Sequence, residues 1–308
     1  MISKQLKEEL EKQQYRLAGN HSAVKICHWT KESISHARHC YKQDFYGIQS
    51  HRCMQMTPCV AWCQQKCIFC WRTHKLVEPD IKWDDPETII DGCIEEQRKL
   101  LEGYHGHEGA DKKKLEEAMY PNQAAISLAG EPTLYPHLSG LISAFHNRNF
   151  TTFLVTNGLE PKVLSELELP TQLYVSLCAP DEETQKKVNV PMVEGSWKAL
   201  NDTLELLPSL NTRKALRITL VKGKNDFQPE SYAKLISKAD PDFIEVKAYM
   251  FVGDSRRRMT IGNMPFHEEV REFSQLLEKE LPDYEIIKEK KESRVLLLSN
   301  GKKKPVIS

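Results

Sequence analysis

Short apolar segments alternate with longer amphipathic stretches along most of the chain. Apolar residues at helical spacing predict helices at 1–18, 86–104, 137–148, 161–168, 194–207, 229–238 and 265–280. Compact apolar runs predict strands near 53–62 and at 124–130, 151–158, 172–180, 215–223, 243–253, 284–288 and 294–299. The rest of 19–60 is predicted to be irregular. Strands that alternate with helices indicate parallel βαβ units, so the first six strands predict an α/β fold, a partial TIM-like (β/α)6 barrel.

The carboxyl ends of these predicted strands carry polar and glycine-rich turns. They read AGEPT (129–133), TNG (156–158), SLCAP (176–180), LVKGKN (220–225) and VKAYMFVG (246–253). In barrel folds the chemistry takes place at this end of the strands. A single Gly or Asn turn is common without any ligand, but five at one end of the barrel indicate a binding site.

Composition and charge narrow the function classes. The 308 residues include 43 Lys and Arg against 43 Asp and Glu, with 40% hydrophobic residues, which is typical of a globular protein. A net charge of zero excludes a broadly basic protein that coats nucleic acid but allows a local basic patch. The apolar runs are too short to span a membrane, and the polar amino terminus does not resemble a signal peptide. We therefore expect a cytoplasmic protein with reduced thiols.

The nine cysteines are the most informative feature of the sequence. They lie at positions 27, 40, 53, 59, 63, 67, 70, 93 and 178. The number is odd and seven fall between residues 27 and 70, so complete pairing is impossible and the residues are clustered. In a reducing compartment, clustered cysteines indicate a metal or catalytic site rather than disulfides.

Three of the cysteines form a CxxxCxxC motif, Cys63, Cys67 and Cys70. Three thiolates on a short loop can hold three corners of a 4Fe–4S cluster and leave the fourth iron open to a small ligand. The alternative is a zinc site, which usually takes four ligands from paired knuckles. The spacing of three and then two residues fits zinc poorly, and no second knuckle follows.

This motif, followed one strand later by 129-AGEP-132, resembles the radical S-adenosylmethionine (SAM) enzymes. Ahead of it, Cys27, Cys40 and Cys53 are spaced by 13 and 13 residues, and HCYKQDFYGI (39–48) places a lysine two residues after the middle cysteine. EVKAYMFVGDS (245–255) and MPFHEEVREF (264–273) follow at the last barrel strand. Together these segments resemble the tRNA 4-demethylwyosine synthase family, in its short form without a flavodoxin domain.

The resemblance implies a reaction and a domain arrangement. N1-methylguanosine at tRNA position 37 and pyruvate would be joined into the tricyclic base 4-demethylwyosine, by a 5′-deoxyadenosyl radical derived from SAM. Residues 1–54 would form an extension carrying a second cluster, 55–255 the barrel, and 256–308 a helix and strands that complete the fold. Because no flavodoxin half is present, an external flavodoxin- or ferredoxin-type donor would supply electrons. We expect a monomer.

The resemblance also implies roles for individual residues. Cys63, Cys67 and Cys70 would hold the cluster that binds SAM, and Cys27, Cys40 and Cys53 a second 4Fe–4S cluster. Lys42 would form a Schiff base with pyruvate. The residues expected to contact SAM are Gly130, Glu131, Thr156, Asn157, Ser176, Arg217 and Asn225. Read without the family, Lys42 is an ordinary surface lysine, and the first three cysteines are either unrelated buried residues or ligands of a common site.

The remaining cysteines and the basic runs have weaker interpretations. Cys59 and Cys93 are interpreted as structural, and Cys178 stands where the family pattern has aspartate. Runs of positive charge at 112–114, 256–258 and 302–304 are candidates for tRNA contact, the second of them at the predicted open end. Trp62, Trp71 and Tyr249 either stack on bases or belong to the core. Alternative functions are a radical SAM enzyme acting on a peptide or small metabolite, and a zinc-binding RNA adaptor.

Overall fold

A computed structural model describes residues 2–36, 38–74 and 81–307. Its strands are β1 (Arg16–Ala18), β2 (Ser22–Lys25), β3 (Cys53–Thr57), β4 (Gln123–Ile126), β5 (Thr151–Thr156), β6 (Gln172–Ser176), β7 (Arg213–Leu220), β8 (Phe243–Ala248), β9 (Glu285–Lys290) and β10 (Val295–Ser299). They form one sheet in the order β1-β2-β3-β4-β5-β6-β7-β8-β10-β9. The central strands β3 to β8 are parallel, and the two strands at each end pair antiparallel.

The predicted α/β class with six parallel strands is therefore confirmed. Within the described residues no ladder joins β1 to β9. The sheet also runs through all three predicted sequence segments, because β1 and β2 come from 1–54 and β9 and β10 from 256–308. The domain boundaries thus divide the sequence but not the sheet.

Helices connect most of the parallel strands. They are α1 (Lys4–Lys12), α2 (His28–Ser35), α3 (Tyr41–Tyr46), α4 (Pro86–Glu102), α5 (Lys112–Ala118), α6 (Leu138–Asn147), α7 (Pro161–Ser165), α8 (Glu182–Val188), α9 (Ser196–Leu206), α10 (Pro229–Ala239) and α11 (His267–Glu280). Short 3-10 turns occur at Ser50–Arg52, Pro132–Leu134, Leu207–Ser209, Gly253–Arg257, Ile261–Asn263 and Lys291–Ser293. None of the helices in the described part of the chain is long and apolar enough to cross a membrane.

Local sequence explains several helix ends. Asp85 caps α4 because its carboxylate accepts a hydrogen bond from Thr88 N at 3.0 Å, and Pro86 fits the first turn, where its missing N–H costs nothing. The predicted helix 1–18 is wrong in its last part. After α1 the chain turns at Gln14, which has a positive φ of 65°, and Arg16–Ala18 pairs with β2 instead.

The two faces of the sheet bury different elements. On one face Met54, Leu154 and Ile244 belong to the large core that includes the connecting helices. On the opposite face, Phe153 and Phe243 pack against α3 and its aromatic residues in a separate cluster. Side chains alternate between faces along a strand. The segment predicted to be irregular thus supplies a helix, α3, that covers this second face, which we call the inner face of the sheet.

Other differences from the sequence-based expectation are short helices and strand ends. α2, α3, α5 and α8 were missed, because helices of six to eight residues show too little periodicity. Predicted strands 172–180, 215–223 and 243–253 end earlier, at Ser176, Leu220 and Ala248. The apolar residues that follow form the loops at the open end of the sheet.

Candidate active site

The CxxxCxxC loop follows β3 and is held by backbone hydrogen bonds to the end of α8. Lys66 N donates to Val190 O at 3.0 Å, and Ile68 N donates to Val188 O at 2.9 Å. From the other side Arg258 donates to the carbonyl oxygens of Ile68 and Cys70. The loop is therefore fixed on both sides, although it is itself irregular.

The three thiols of this motif lie close together. Burial raises the pKa of the Cys67 thiol well above its usual value, and negative charge on Cys70 and Cys63 raises it further. The buried guanidinium of Arg72 opposes this rise for Cys63 and Cys67. It also donates to Gln65 O at 3.0 Å. A cationic side chain thus stands beside the three sulfurs, which favours their thiolate form.

The thiols open onto a cavity of about 320 Å³ at the carboxyl ends of the parallel strands. Its lining contains all three motif cysteines and six of the seven residues predicted to contact SAM, namely Gly130, Glu131, Thr156, Asn157, Ser176 and Arg217. The tertiary structure therefore brings together residues from the ends of β4, β5 and β6 and from the middle of β7.

Asn225 is the predicted SAM-contact residue that the structure does not bring to this cavity. Its side chain is fully buried, accepts a hydrogen bond from Val221 N at 2.7 Å and donates to Cys178 O and Thr219 O, each at 2.9 Å. These bonds use its amide to hold the loop after β7. Its contact with SAM stays a prediction that the lining of the cavity does not support.

Glu131 joins two strand ends from inside the protein. Its carboxylate accepts hydrogen bonds from Thr156 Oγ1 at 2.7 Å, Thr133 Oγ1 at 2.8 Å and Asn157 N at 2.8 Å. Burial raises the pKa of Glu131, and these donors oppose the rise. Both carboxylate oxygens are occupied, so this residue orients the turns after β4 and β5.

Gly130 is required by the cysteine loop itself. It has a φ of +69°, and a Cβ at this position would lie 1.6 Å from Cys59 O and 2.6 Å from Trp62 O. The next residue, Glu131, donates its N–H to Trp62 O at 2.7 Å. The turn after β4 and the CxxxCxxC loop are therefore in direct backbone contact, which leaves no space for a side chain.

Gly130→Ala is expected to destabilise the protein by more than about 2 kcal/mol, because the cost of the strained backbone adds to the cost of the steric clash. It should also lower the amount of iron bound by the motif cysteines. Gly195→Ala is the matched control, because Gly195 has a φ of +67° and no atom within 4 Å of its Cβ position. Chemical denaturation and iron content measure the two effects. Equal loss of stability in both variants would contradict the steric account.

The cysteines of the predicted second triad come from the segment that precedes the CxxxCxxC loop. Cys27 precedes α2, Cys40 precedes α3 and Cys53 begins β3. Burial raises the pKa of Cys40 to about 11 and that of Cys53 to about 12, and in both cases the charge of Cys27 contributes to the rise. Cys40 and Cys53 are thus both close enough to Cys27 for its charge to act on their pKa values.

Lys42 lies on α3 and is buried against the inner face, not on the surface. Its exposed fraction is 8%, and its ammonium is 4.2 Å from the centroid of the Phe153 ring and 4.7 Å from that of Tyr174. Burial lowers the pKa of Lys42, as does the positive charge of Arg217, while Glu245 and Cys40 act in the opposite direction. Among the described residues no carboxylate forms an ion pair with it.

A buried carboxylate, Glu245, organises the inner face and was missed by sequence reasoning. It accepts hydrogen bonds from the hydroxyls of Tyr46 at 2.6 Å, Tyr174 at 2.9 Å and Tyr41 at 3.0 Å, and from Arg217 Nε at 3.1 Å. The positive charge of Arg217 is the largest of the influences that lower the pKa of Glu245 against the effect of burial. The signal that could have found it is a lone acidic residue inside the apolar run FIEVKAYM.

Comparison with known proteins agrees with this geometry. A model of the radical SAM superfamily matches residues 57–236, and a model of wyosine base formation matches residues 238–300. A tRNA 4-demethylwyosine synthase of Pyrococcus abyssi is 55% identical over 294 residues, which are 93% of this chain and 86% of that protein. The chain belongs to the tRNA 4-demethylwyosine synthase family of radical SAM enzymes.

Other relatives support the same membership. The synthase of Methanocaldococcus jannaschii is 40% identical and is covered over 98% of its length. The mouse synthase is 41% identical, but this chain spans 42% of it. The structure of archaeal TYW1 superposes with a TM-score of 0.84 at 34% identity, and a TYW1 structure with a lysine–pyruvate adduct bound superposes with a TM-score of 0.92 at 38% identity. Each covers 100% of both chains.

Family membership identifies the chain as a SAM-dependent enzyme with a 4Fe–4S cluster and rules out the zinc-binding RNA adaptor and the peptide- or metabolite-modifying alternatives. Within the described residues, no three His, Cys, Asp or Glu side chains are arranged around one point that would hold a single metal ion. The structure brings Cys63, Cys67 and Cys70 to one cavity, while Cys27, Cys40 and Cys53 lie at the starts of α2, α3 and β3.

The leftover cysteines and aromatic residues separate into two groups. Cys59 and Cys93 are fully buried in the core, as expected, and Trp62 and Tyr249 are also buried. Cys178 lines the cavity and lies close enough to Cys67 for its charge to raise the pKa of that thiol.

Proposed function

We propose that this chain converts N1-methylguanosine at tRNA position 37 and pyruvate into 4-demethylwyosine, and that Lys42 binds pyruvate covalently. The observation that carries the proposal is a buried lysine beside a second thiol triad, on the face of the sheet that also forms the cavity at the strand ends. A similar solved protein is described with a lysine–pyruvate adduct.

The cysteine thiols and the cavity beside them suit the 4Fe–4S cluster and the SAM that the family implies. Cys63, Cys67 and Cys70 would hold the 4Fe–4S cluster that binds SAM, in a loop held on both sides. When bound, cluster and SAM supply a carbon radical able to remove hydrogen from an unactivated methyl group, which no side chain can deprotonate. The cavity of about 320 Å³ would exclude bulk water from SAM, and Ser176 at the end of β6 and Arg217 within β7 would contact it.

Lys42 would act as the nucleophile for pyruvate. Its unprotonated amine attacks the keto carbon, the carbonyl oxygen leaves as water, and an imine joins the lysine to pyruvate. Because burial and Arg217 lower the pKa of this lysine, more of it is unprotonated at neutral pH than of an exposed lysine. Phe153 and Tyr174 fix the position of the amine.

Cys27, Cys40 and Cys53 would hold a second 4Fe–4S cluster beside Lys42. The charges of the Cys40 and Cys53 thiols act on the pKa of Lys42, which places them near its amine. Cys27 and Cys40 immediately precede α2 and α3, and Cys53 begins β3, so three different elements bring the three thiols together. Three ligands leave one iron open to pyruvate.

The tRNA would approach Lys42 and the proposed second cluster through a cleft of about 770 Å³, whose lining includes Cys27. Its lining includes Lys25, Cys27, His28, Trp71 and Arg257. A methyl group inside a closed site requires that the base leave its stack. The cleft combines positive charge for phosphates with an aromatic ring for a base, which is how RNA loops are commonly recognised.

Within the basic run 256–258 only part is available for RNA. Arg258 is committed to Asp254 and to the cysteine loop. The side chain of Arg257 is 84% exposed and touches only the Asp254 carboxylate, at 3.2 Å, among the described residues. The other two runs carry their own partners, since Lys302 pairs with Asp240 and Lys114 donates to Ser33 O.

Arg257→Ala is expected to weaken tRNA binding by roughly fivefold and to reduce the slope of log affinity against log salt by about one, because one phosphate contact is lost. Lys302→Ala, at the carboxyl-terminal run, is the control and should leave both unchanged. Binding is measured with N1-methylguanosine tRNA at several salt concentrations. An unchanged slope in Arg257→Ala would place the RNA elsewhere.

The proposal also assigns an environment to the protein. A tRNA-modifying enzyme works where tRNA is, so we place this one in the cytoplasm, as a monomer. An external protein of the flavodoxin or ferredoxin type would reduce the cluster.

An anaerobic assay tests the proposed function directly. The cluster-loaded protein is incubated with methylated tRNA, pyruvate, SAM and a reductant, and digested tRNA is analysed for the tricyclic base. We expect a product that carries carbon from labelled pyruvate. Cleavage of SAM without any change of the tRNA base would overturn the assignment.

A further inference from the structure

We propose that Lys247 forms the subsite for the carboxylate of the 2-oxo acid that Lys42 binds. The inference rests on the proposed function and extends it to substrate selection. It starts from Lys247, which is half-buried on the inner face. The reaction as described gives this second lysine no role.

The register of the sheet places Lys247 on the inner face. It lies two residues after Glu245 on β8, so both side chains point to the same side. Its parallel partner is Thr219 and its antiparallel partner is Val295. Lys247 also lines the cavity at the strand ends. The side chain thus borders the cavity that also holds the three motif cysteines and Arg217.

Lys42 and Lys247 each contact a tyrosine that Arg217 also contacts. The Arg217 guanidinium is 4.8 Å from the Tyr174 ring centroid, and Lys42 is 4.7 Å from the same ring. Arg217 also donates to the hydroxyl of Tyr41, and the ammonium of Lys247 is 4.9 Å from the Tyr41 ring. Both lysines are also close enough to Cys40 to feel its charge.

The charges of this chamber are unbalanced. Lys42, Arg217 and Lys247 bring three positive charges, and Glu245 brings one negative charge. Burying uncompensated cations is unfavourable, and the pKa of Lys247 is lowered to about 8 by burial and by Arg217. A bound anion would offset this excess of positive charge. The thiolates of the second triad would offset part of it as well.

Lys247 has donors for such an anion, and unlike Arg217 it forms no ion pair among the described residues. Arg217 uses its Nε and one terminal nitrogen on Glu245 and Tyr41; its other terminal nitrogen keeps two N–H bonds, but its charge is already paired with Glu245. The amine of Lys42 becomes part of the imine. Lys247 donates to Ser293 O at 2.9 Å, and among the described residues this is its one hydrogen-bond acceptor. Two of its three N–H bonds remain for a ligand.

Pyruvate has the matching shape. Its carboxylate is bonded directly to the keto carbon that Lys42 attacks, so an adduct on Lys42 carries an anion close to its nitrogen. A charged hydrogen bond from Lys247 would orient the adduct and favour 2-oxo acids over neutral ketones. Arg217 would add a general positive field.

The test compares pyruvate with methyl pyruvate, its neutral ester, on the cluster-loaded protein. Each is incubated over a range of concentrations, the imine is reduced with borohydride, and the mass of the Lys42 peptide gives the adduct yield. Lys247→Gln removes the charge but keeps a donor for Ser293 O, and Lys247→Arg restores the charge. Lys198→Met, an exposed lysine paired with Asp202 on α9, is the control.

For Lys247→Gln we expect half-saturation at roughly 10- to 100-fold more pyruvate and an unchanged dependence on methyl pyruvate within about twofold, since one charged hydrogen bond is lost. Lys247→Arg should recover most of the difference. An unchanged pyruvate dependence, or an equal loss for both compounds, overturns the carboxylate subsite. Absence of any adduct on Lys42 in the unaltered protein overturns the Schiff-base proposal itself.

Discussion

Lys42→Met is expected to reduce the rate of formation of the tricyclic base by roughly 10³-fold or more, while cleavage of SAM continues. Removal of an essential nucleophile has effects of this size or larger. Methionine fills the space between the Phe153 and Tyr174 rings, so the inner face should stay packed. The variant loses the amine that condenses with pyruvate and leaves the CxxxCxxC loop unchanged.

The measurement has two independent readouts. Digested tRNA reports product, and 5′-deoxyadenosine reports cleavage of SAM. Borohydride treatment with pyruvate should add mass to the Lys42 peptide of the unaltered protein and add none in Lys42→Met. Lys42→Arg retains the positive charge but cannot form an imine, so it should fail in the same way. A normal yield of tricyclic base from either variant would show that Lys42 does not bind pyruvate covalently.

Cysteine substitutions in the two triads are expected to separate the two clusters. The intact protein should contain about eight irons per chain, and Cys67→Ala and Cys40→Ala should each contain about four. Cys67→Ala should lose SAM cleavage completely, because the cluster that binds SAM is lost. Cys40→Ala should still cleave SAM but should make no tricyclic base, since the second triad lies beside Lys42.

Cys93→Ala is the matched control for these substitutions. Cys93 is fully buried in α4, and the charge that reaches it among the described residues comes from Glu96 rather than from another cysteine. Its iron content and activity should be unchanged, with a small loss of stability. About eight irons in Cys40→Ala would overturn the second cluster. Undiminished SAM cleavage in Cys67→Ala would overturn the assignment of the CxxxCxxC motif.

Much of the fold could be predicted from the sequence because it depends on local patterns. The parallel strands are compact apolar runs, and their existence was recognised even where their ends were not. α3 was missed, because six residues flanked by Cys40 and Gly47 carry almost no periodic signal. Its position is set by contacts of Phe45 and Tyr46 with the sheet, which involve residues far away in sequence.

The candidate site divides in the same way. Six of seven expected SAM-contact residues line one cavity, because strand ends of a parallel sheet meet at one edge. Asn225 follows the same rule in the sequence, yet its amide is used by its own loop. Whether a polar residue at a strand end faces the ligand or its neighbours depends on its hydrogen-bond partners, which sequence position does not reveal.

The sequence by itself determined the CxxxCxxC motif, the strand–helix alternation and the family, because these depend on spacings of a few residues along the covalent chain. Only the tertiary structure decided that Lys42 is buried and that Tyr41 bonds to Glu245, 204 positions away. It also decided that Lys247 joins them on the same face. The physical reason is that the pKa of a lysine and the cost of its burial are set by neighbours, and the register of the sheet chooses those neighbours.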